Sequence, residues 1–268
     1  MMFNDLDSVT DALAGLTATP VPGLTDRIFG SWLAAPSRLG ATFVAFTGAG
    51  VQFVRSAESV RGDAAAFGDA YRDRFGRPLR PADRAPAGLL VALAGRPTPV
   101  RLDLRGLSDF ERDVLTATSR IPAGQIRPYG WVAREAGRPR AVRAVGSVLA
   151  RNPVPLLIPC HRVVRADGLL GDYMFGSTHK EQLLRAEQMN VDEVAALARQ
   201  GVHFVGSDTT GVVCFPTCPH ARRITPAHRH GFRTAAAALT AGHRPCHHCR
   251  PTGPLPQRPP PTPGAVGD

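Results

Sequence analysis

Apolar and polar positions change rhythm several times along the chain. Ala41-Thr42-Phe43-Val44-Ala45-Phe46 and Val51-Gln52-Phe53-Val54 flank Thr47-Gly48-Ala49-Gly50, the pattern of a β-hairpin. Residues 64–75 and 86–94 read as helices and 100–104 as a further strand, so the first hundred or so residues form a small α/β unit. From Ser108 the rhythm becomes that of short helices: Ser108 stands as an N-cap ahead of Phe110, Val114 and Leu115, which recur at helical spacing. A helix over 129–136 is stopped by Gly137, Pro139 sits in a first turn, and a second helix over 140–150 ends before Asn152-Pro153. Two short helices joined through a glycine-containing turn form a helix-turn-helix. Helices over 179–189 and 191–199 follow, and beyond Pro251 the sequence is Pro- and Gly-rich without periodicity, as in a disordered tail.

On the second helix of the pair, Val142, Val145 and Leu149 share an apolar face, leaving Arg143, Gly146, Ser147 and Ala150 on the other. Small residues let a helix backbone approach a nucleic-acid groove, and an arginine among them can reach the base stack; an ordinary surface helix has the same pattern. The net charge of +10 and pI near 10.5 point to a polyanionic partner. A chain rich in Ala, Arg, Pro and Gly, with Lys180 its only lysine, is also what a GC-rich coding sequence produces. With 268 residues the chain has room for two or three domains. It has no bilayer-length apolar run, and residues 1–11 lack the order of a secretion signal, so a reducing cytoplasm is the expected location.

Cysteine placement narrows the chemistry. Cys160 stands alone in Ile158-Pro159-Cys160-His161-Arg162-Val163-Val164; Cys214, Cys218, Cys246 and Cys249 lie together near the C-terminus. A nucleophilic cysteine needs a base or a positive environment. Neighbours in an extended segment point opposite ways, so His161 would act through a water, with an acid such as Glu187 orienting its far nitrogen. A buried structural cysteine behind the apolar run 154–158 is the alternative. The spacings Cys-x3-Cys and Cys-x2-Cys are those of a tetrahedral zinc site, with an iron–sulfur cluster as its rival. His220, His228, His230, His243, His247 and His248 crowd the region and read as solvated side chains or phosphate contacts, since four thiolates already complete the shell.

The run Arg143-Ala144-Val145-Gly146, then Asn152-Pro153 through Pro159-Cys160-His161-Arg162-Val163, then 168–173 and Lys180-Glu181-Gln182-Leu183-Leu184, resembles the O6-alkylguanine-DNA alkyltransferases. Ile121-Pro122-Ala123-Gly124 and Tyr129 fit the same family, and the match runs from about Leu104 to Glu187. The resemblance implies a protein that takes the alkyl group of O6-alkylguanine in double-stranded DNA irreversibly onto its own cysteine, after flipping the nucleotide out of the stack. By position Cys160 is the acceptor, His161 the base, Glu187 the end of the relay, Asn152 the holder of the turn, and Tyr129 the proton donor to the departing guanine. Arg143 would fill the space of the extruded nucleotide. Ala144, Gly146, Ser147, Ala150 and Arg151 would line the DNA, and Tyr173, Met174 and Val163 the substrate pocket. Asp172, Met174 and Phe175 depart from the pattern of many relatives and bear on alkyl size.

Thr209-Thr210-Gly211-Val212-Val213-Cys214-x-Pro216-Thr217-Cys218-Pro219, with 235–239 and Ala241-Gly242-His243-Arg244-Pro245-Cys246, resembles the zinc domain of the Ada-type adaptive-response proteins. That resemblance implies four cysteine ligands for Zn2+, with Cys214 as a possible second acceptor that takes methyl from DNA methylphosphotriesters. In the family's familiar arrangement this domain comes first and an AraC-type segment follows it. Here it follows the alkyltransferase and the chain then ends, so no transcriptional switch in cis is expected. The expected architecture is an α/β N-terminal scaffold over 1–103, a mostly α alkyltransferase domain with a winged-helix-like helix-turn-helix over 104–189, a small zinc-stapled α+β module over 201–254 and a tail over 255–268, acting as a monomer. The alternative is a non-repairing sensor of alkylated DNA with a purely structural zinc. A Cys-His hydrolase is disfavoured, because no oxyanion site is visible.

Overall fold

The computed structural model describes residues 28–252, so the expected tail over 255–268 and the first 27 residues of the N-terminal unit lie outside the described residues. The first sheet has the strand order β3-β2-β1-β4, with β1 (Gly30–Ser37), β2 (Gly40–Thr47) and β3 (Gly50–Ser56) antiparallel and β4 (Leu79–Pro81) parallel to β1. Strand β2 is covered on both faces, which its unbroken apolar run from Phe43 to Phe46 explains. Phe43 and Ala45 face α1 (Ala64–Phe75), where they meet Phe53, Phe67 and Tyr71, whereas Val44 joins Val51 and Val54 in the main core. The hairpin expectation holds. Strand β1 is not marked by the sequence pattern, because Ala34, Ala35 and Pro36 have little β-preference; its pairing with β2 from Ser31↔Phe46 to Ser37↔Gly40 imposes it. The helix expected over 86–94 is confined to α2 (Leu89–Leu93), entered through Gly88 in the left-handed region. The strand expected over 100–104 is only a single bridge, Val51↔Leu102. Gly50 is obligatory there, since a Cβ would lie 2.4 Å from the Arg101 carbonyl oxygen.

Helices α3 (Asp109–Ser119), α4 (Tyr129–Glu135) and α5 (Val142–Ala150) pack together, and β5 (Arg127–Pro128) pairs in parallel with β6 (Val163–Val164). Ser108 caps α3 as expected and does more: Glu111 returns a hydrogen bond to the Ser108 backbone, closing a capping box. In α5 the buried residues are Val145, Val148 and Leu149; Val142, expected on the core face, is 39% exposed at the helix start. The next helix, α6, runs Ser177–Ala186, a little earlier than the pattern indicated, and α7 occupies Val191–Arg199 as expected.

The C-terminal unit is a four-stranded sheet of order β10-β8-β7-β9, built from β7 (Phe204–Ser207), β8 (Val212–Cys214), β9 (Arg229–Phe232) and β10 (Arg244–Pro245), with short helices α8 (Pro219–Arg222) and α9 (Ala235–Thr240). It is not a bead on a linker. The apolar core runs continuously from Val44 and Val51 through Trp131 and Ile158 to Val205 and Phe215. Trp131 Nε1 donates to the Cys249 carbonyl at 3.0 Å, Ile126 N donates to Thr217 Oγ1 at 3.1 Å, and Arg250 pairs with the buried Glu135 carboxylate at 2.5 Å.

Removing the Ser108 hydroxyl in Ser108→Ala leaves the Glu111 amide without its cap, and we expect a loss of about 1 kcal/mol of stability, measured by chemical denaturation of the full chain.

Candidate functional site

Asn152-Pro153 leads from α5 into the Cys160 segment, and Asn152 is buried there with every polar atom used. Its Nδ2 donates to the Ile158 carbonyl at 3.1 Å and to Cys160 Sγ at 3.2 Å, while its Oδ1 accepts from Val154 N at 3.0 Å. Leu156, at φ 72, takes a left-handed conformation unusual for its type within this loop. Strand β3 buttresses it, because Val54 N donates to the Pro153 carbonyl at 2.8 Å. Cys160 opens a 3-10 turn over Cys160–Arg162, which turns His161 inward, away from the cysteine's open side.

His161 is fully buried, and its Nε2 lies 2.9 Å from Glu187 Oε1. A carboxylate only accepts, so Nε2 carries the hydrogen and Nδ1 is left as an acceptor, buried and without a protein partner. Burial lowers the His161 pKa against the hydrogen bond and charge of Glu187, which keeps the ring neutral. Glu187 also accepts Arg162 Nε at 2.9 Å and Nη2 at 2.8 Å, Arg38 Nη2 at 3.2 Å, and the Gly124 amide at 3.0 Å. Burial by itself would raise its carboxyl; the hydrogen bonds from His161 and Arg162, with their charges, outweigh that and hold it well below the usual carboxylate range. Gly124, at φ 69, is required for this approach, since a Cβ would lie 2.8 Å from the Glu187 carbonyl oxygen.

Burial pushes the Cys160 thiol up, opposed by the Asn152 hydrogen bond and the charge of Lys180. The resting sulfur is therefore protonated and needs a base. Lys180 is itself buried, donating to the carbonyls of Val163, Leu170 and Asp172, and burial lowers it to about 8. Cys160 forms part of a cleft of about 340 Å³ with Tyr129, Gly146, Leu149, Ala150, Asp172, Tyr173 and Met174. Burial raises the phenols of Tyr129 and Tyr173, with the Cys160 charge next, so both remain protonated. The structure thus brings together Cys160, His161, Glu187, Asn152, Tyr129, Tyr173 and Met174. Val163 is fully buried in β6, paired with Arg127, and is not among the residues that line this cleft. Arg143, Ala144, Ser147, Ala150 and Arg151 are exposed on α5 and its cap, with Gly146 half-buried at the cleft.

Two guanidiniums on Glu187 were not anticipated. Arg162 sits inside the Pro-Cys-His-Arg run and could have been found there. Arg38 lies in the β1–β2 turn, 149 residues from Glu187 in sequence, and carried no signal; the N-terminal unit, expected to be scaffold only, therefore reaches the buried carboxylate.

In the C-terminal unit, the parallel pairing of β10 with β8 and the Cys246 N to Val213 carbonyl bond at 3.0 Å bring the two cysteine pairs together. The four Sγ atoms lie within 4.8 Å of one another and all four residues are buried. A zinc tetrahedron with Zn–S bonds of about 2.3 Å fits this span, and four thiolates leave no open position. Asp208 accepts from His228 at 2.9 Å and His230 at 3.1 Å, on the surface, and no described histidine joins the cluster. These residues hold Zn2+.

Comparison with known proteins agrees with both centres. The family model "6-O-methylguanine DNA methyltransferase, DNA binding domain" matches residues 109–189, and "Metal binding domain of Ada" matches residues 194–252. Residues 109–189 thus match the alkyltransferase DNA-binding domain, and residues 194–252, after the cysteine segment, match the Ada metal-binding domain. The "Bifunctional transcriptional activator/DNA repair enzyme Ada" of Escherichia coli K12 is 43% identical over 120 residues, 41% of this chain and 34% of that protein. A "Methylated-DNA--protein-cysteine methyltransferase" of Mycolicibacterium paratuberculosis is 45% identical over 89 residues, 33% of this chain and 53% of that one. The chain thus spans from a third to about half the length of these curated relatives. Mycobacterium tuberculosis OGT, solved in complex with DNA, is 32% identical with a TM-score of 0.49, over 61% of this chain and 98% of that one. Among the described residues no helix is long and apolar enough to cross a membrane.

Because the folded Glu187 carboxyl lies below its unfolded value, its contribution to stability is complete above the normal carboxylate range and is lost progressively as pH falls from that range toward the lower folded value. Glu187→Gln should cost roughly 3 kcal/mol near neutral pH, by leaving Arg162 and His161 without their anion. It should also flatten the acid side of the stability-against-pH curve, as measured by denaturation from pH 7 down to pH of about 3.

Proposed function

We propose that this protein repairs DNA by transferring the alkyl group of O6-alkylguanine irreversibly to Cys160, one group per molecule. The observation that carries the reading is the position of Cys160: its sulfur is held by Asn152, with His161 and Glu187 behind it, and it meets a cleft walled by Tyr129, Tyr173 and α5 residues. The cleft volume suits a single extruded base, and extrusion is required because a sulfur cannot approach an O6 substituent in line within the stack. The thiol proton passes through a water to His161 Nδ1, and Glu187 stabilises the imidazolium that forms. Sulfur attacks the alkyl carbon, the carbon–O6 bond breaks, and its electron pair stays on guanine, which takes a proton from the Tyr129 hydroxyl. His161 returns a proton to Tyr129 through solvent. The products are guanine in DNA and S-alkylcysteine; nothing on the chain removes the alkyl group. Arg143 takes the place of the extruded nucleotide while Ala144, Ser147, Ala150 and Arg151 face the duplex, and Met174 covers the base. The protein acts as a monomer in the reducing cytoplasm, where its five free cysteines stay reduced.

A second reaction is favoured by one observation: Cys214 forms part of an open cleft with Thr209, Thr210, His220, Arg223 and Arg244, a cationic and hydroxyl-lined setting for a phosphate. Zinc, when bound, keeps the four sulfurs deprotonated. Cys214 would then accept methyl from a DNA methylphosphotriester.

With duplex DNA containing O6-methylguanine, the peptide bearing Cys160 should gain one methyl per protein molecule, seen by peptide mass mapping. Tyr129→Phe should slow the transfer by about 10²-fold, and Cys160→Ala should bind the DNA and transfer nothing. Lesion binding that leaves Cys160 unmodified would instead identify a sensor. With methylphosphotriester DNA, methyl should appear on the Cys214 peptide; methyl on Cys160 alone would leave the zinc site structural.

A further inference from the structure

Arg127 leads the chain's largest fully buried side chains, at 2% exposure, and it lies in the alkyltransferase segment, two residues before Tyr129. Its Nη1 donates to the Ile126 carbonyl at 2.8 Å and its Nη2 to the neutral Gln125 side chain at 2.6 Å, while Nε is buried without a partner. Among the described residues no carboxylate pairs with it. Leaving a guanidinium in the interior without an anion costs several kcal/mol, so a compensating charge must be close by.

That charge lies across the domain boundary. The guanidinium carbon is 5.6 Å from the Trp131 ring centre and 5.1 Å from that of Phe215. Both rings adjoin the four-cysteine cluster: Trp131 Nε1 donates to the Cys249 carbonyl, and the Phe215 amide faces Cys249 Sγ at 3.4 Å. Burial disfavours the charged guanidinium, and the charges that favour it are those of Cys249, Cys218, Cys246 and Cys214. Four thiolates around one Zn2+ carry a net charge of −2.

We infer that Arg127 is the counter-cation of the zinc–tetrathiolate centre, supplied by the alkyltransferase segment to the metal site of the other unit, so that zinc loading and domain docking are one linked equilibrium. With the metal in place, the dianion compensates Arg127 and the interface stays closed. Without it the guanidinium loses its anion, and the Trp131, Thr217 and Arg222 contacts that hold the module must carry an uncompensated buried charge. Linkage works equally in the other direction, so removing the cation weakens retention of the metal. The same strand runs directly into Tyr129, and Arg222 of the zinc module bonds the carbonyl of Gly124, whose amide holds Glu187. The metal therefore braces the loop between the two centres.

The test uses the full, zinc-loaded chain and needs no DNA, so its outcome is separate from that of the repair reading. Zinc release to a colorimetric chelator is timed for the wild type, Arg127→Leu, Arg127→Lys and Arg134→Leu. Arg134 serves as the control, because its 3.1 Å bond to the Pro251 carbonyl is an interface contact outside the cluster. We expect Arg127→Leu to release zinc about 10- to 100-fold faster, Arg127→Lys to fall between it and wild type, and Arg134→Leu to match wild type. In parallel, limited proteolysis of the wild type should show the 199–203 connection protected with zinc, cleaved after chelation, and protected again when zinc is restored. Wild-type release from Arg127→Leu would overturn the inference, as would an Arg127→Lys variant as leaky as Arg127→Leu or a connection equally resistant with and without zinc. The proteolysis arm stands even if a variant fails to fold.

Discussion

Glu187 accepts hydrogen bonds from groups in three separate segments: the β1–β2 turn through Arg38, the loop before β5 through the Gly124 amide, and the cysteine segment through His161 and Arg162. A carboxylate removed from water needs its lone pairs filled, and only this assembly fills them. The tertiary arrangement of the N-terminal sheet, the helix-turn-helix and α6 follows from that requirement as much as from the apolar core. It also fixes the tautomer of His161, leaving Nδ1 as the acceptor beside Cys160. Two guanidiniums and one imidazole on a single carboxylate keep it anionic, while the imidazole rests neutral and the Cys160 thiol protonated.

Charge is handled the same way twice in this chain. Around Glu187 one buried anion is surrounded by cations; around the four cysteines, a buried cluster of thiolates faces Arg127. In both cases the compensating group comes from a different part of the sequence, and both meet in the short stretch from Gly124 to Trp131. That stretch carries Tyr129 on one side and the interface to the zinc module on the other. The three units share a continuous core, and the polar contacts between them set its geometry.

Much of the chemistry was legible in the residues themselves. Pro-Cys-His-Arg-Val in register with the upstream Asn-Pro is legible as a resemblance to the alkyltransferases, and paired cysteines at short spacing mark a metal site, because chelation by a short pair depends on local geometry. The capping box at Ser108 and the hairpin at 41–54 were equally readable, since caps and turns are decided within a few residues. The expectations for 86–94 and 100–104 fared less well: Gly88 delays the helix, and the bridge to Val51 leaves room for only one pair. Val142 shares the helical phase of Val145 and Leu149, but as the first residue of α5 it lies at the exposed end of that face. Val163 follows the 3-10 turn of the cysteine segment into β6, where it is buried.

The sequence by itself determined which chemical groups are present and how they are spaced: one cysteine beside a histidine, four cysteines at chelating spacing, and a small-faced helix bearing Arg143. Those features are set by spacings of a few residues, within which the backbone leaves little freedom. The tertiary structure alone decided what surrounds them. Arg38 reaches Glu187 across 149 residues, and Arg127 is buried against Phe215 of the cysteine module, 88 positions downstream. Such pairings have no local periodicity. They arise because a buried charge must find its partner wherever the fold brings one near.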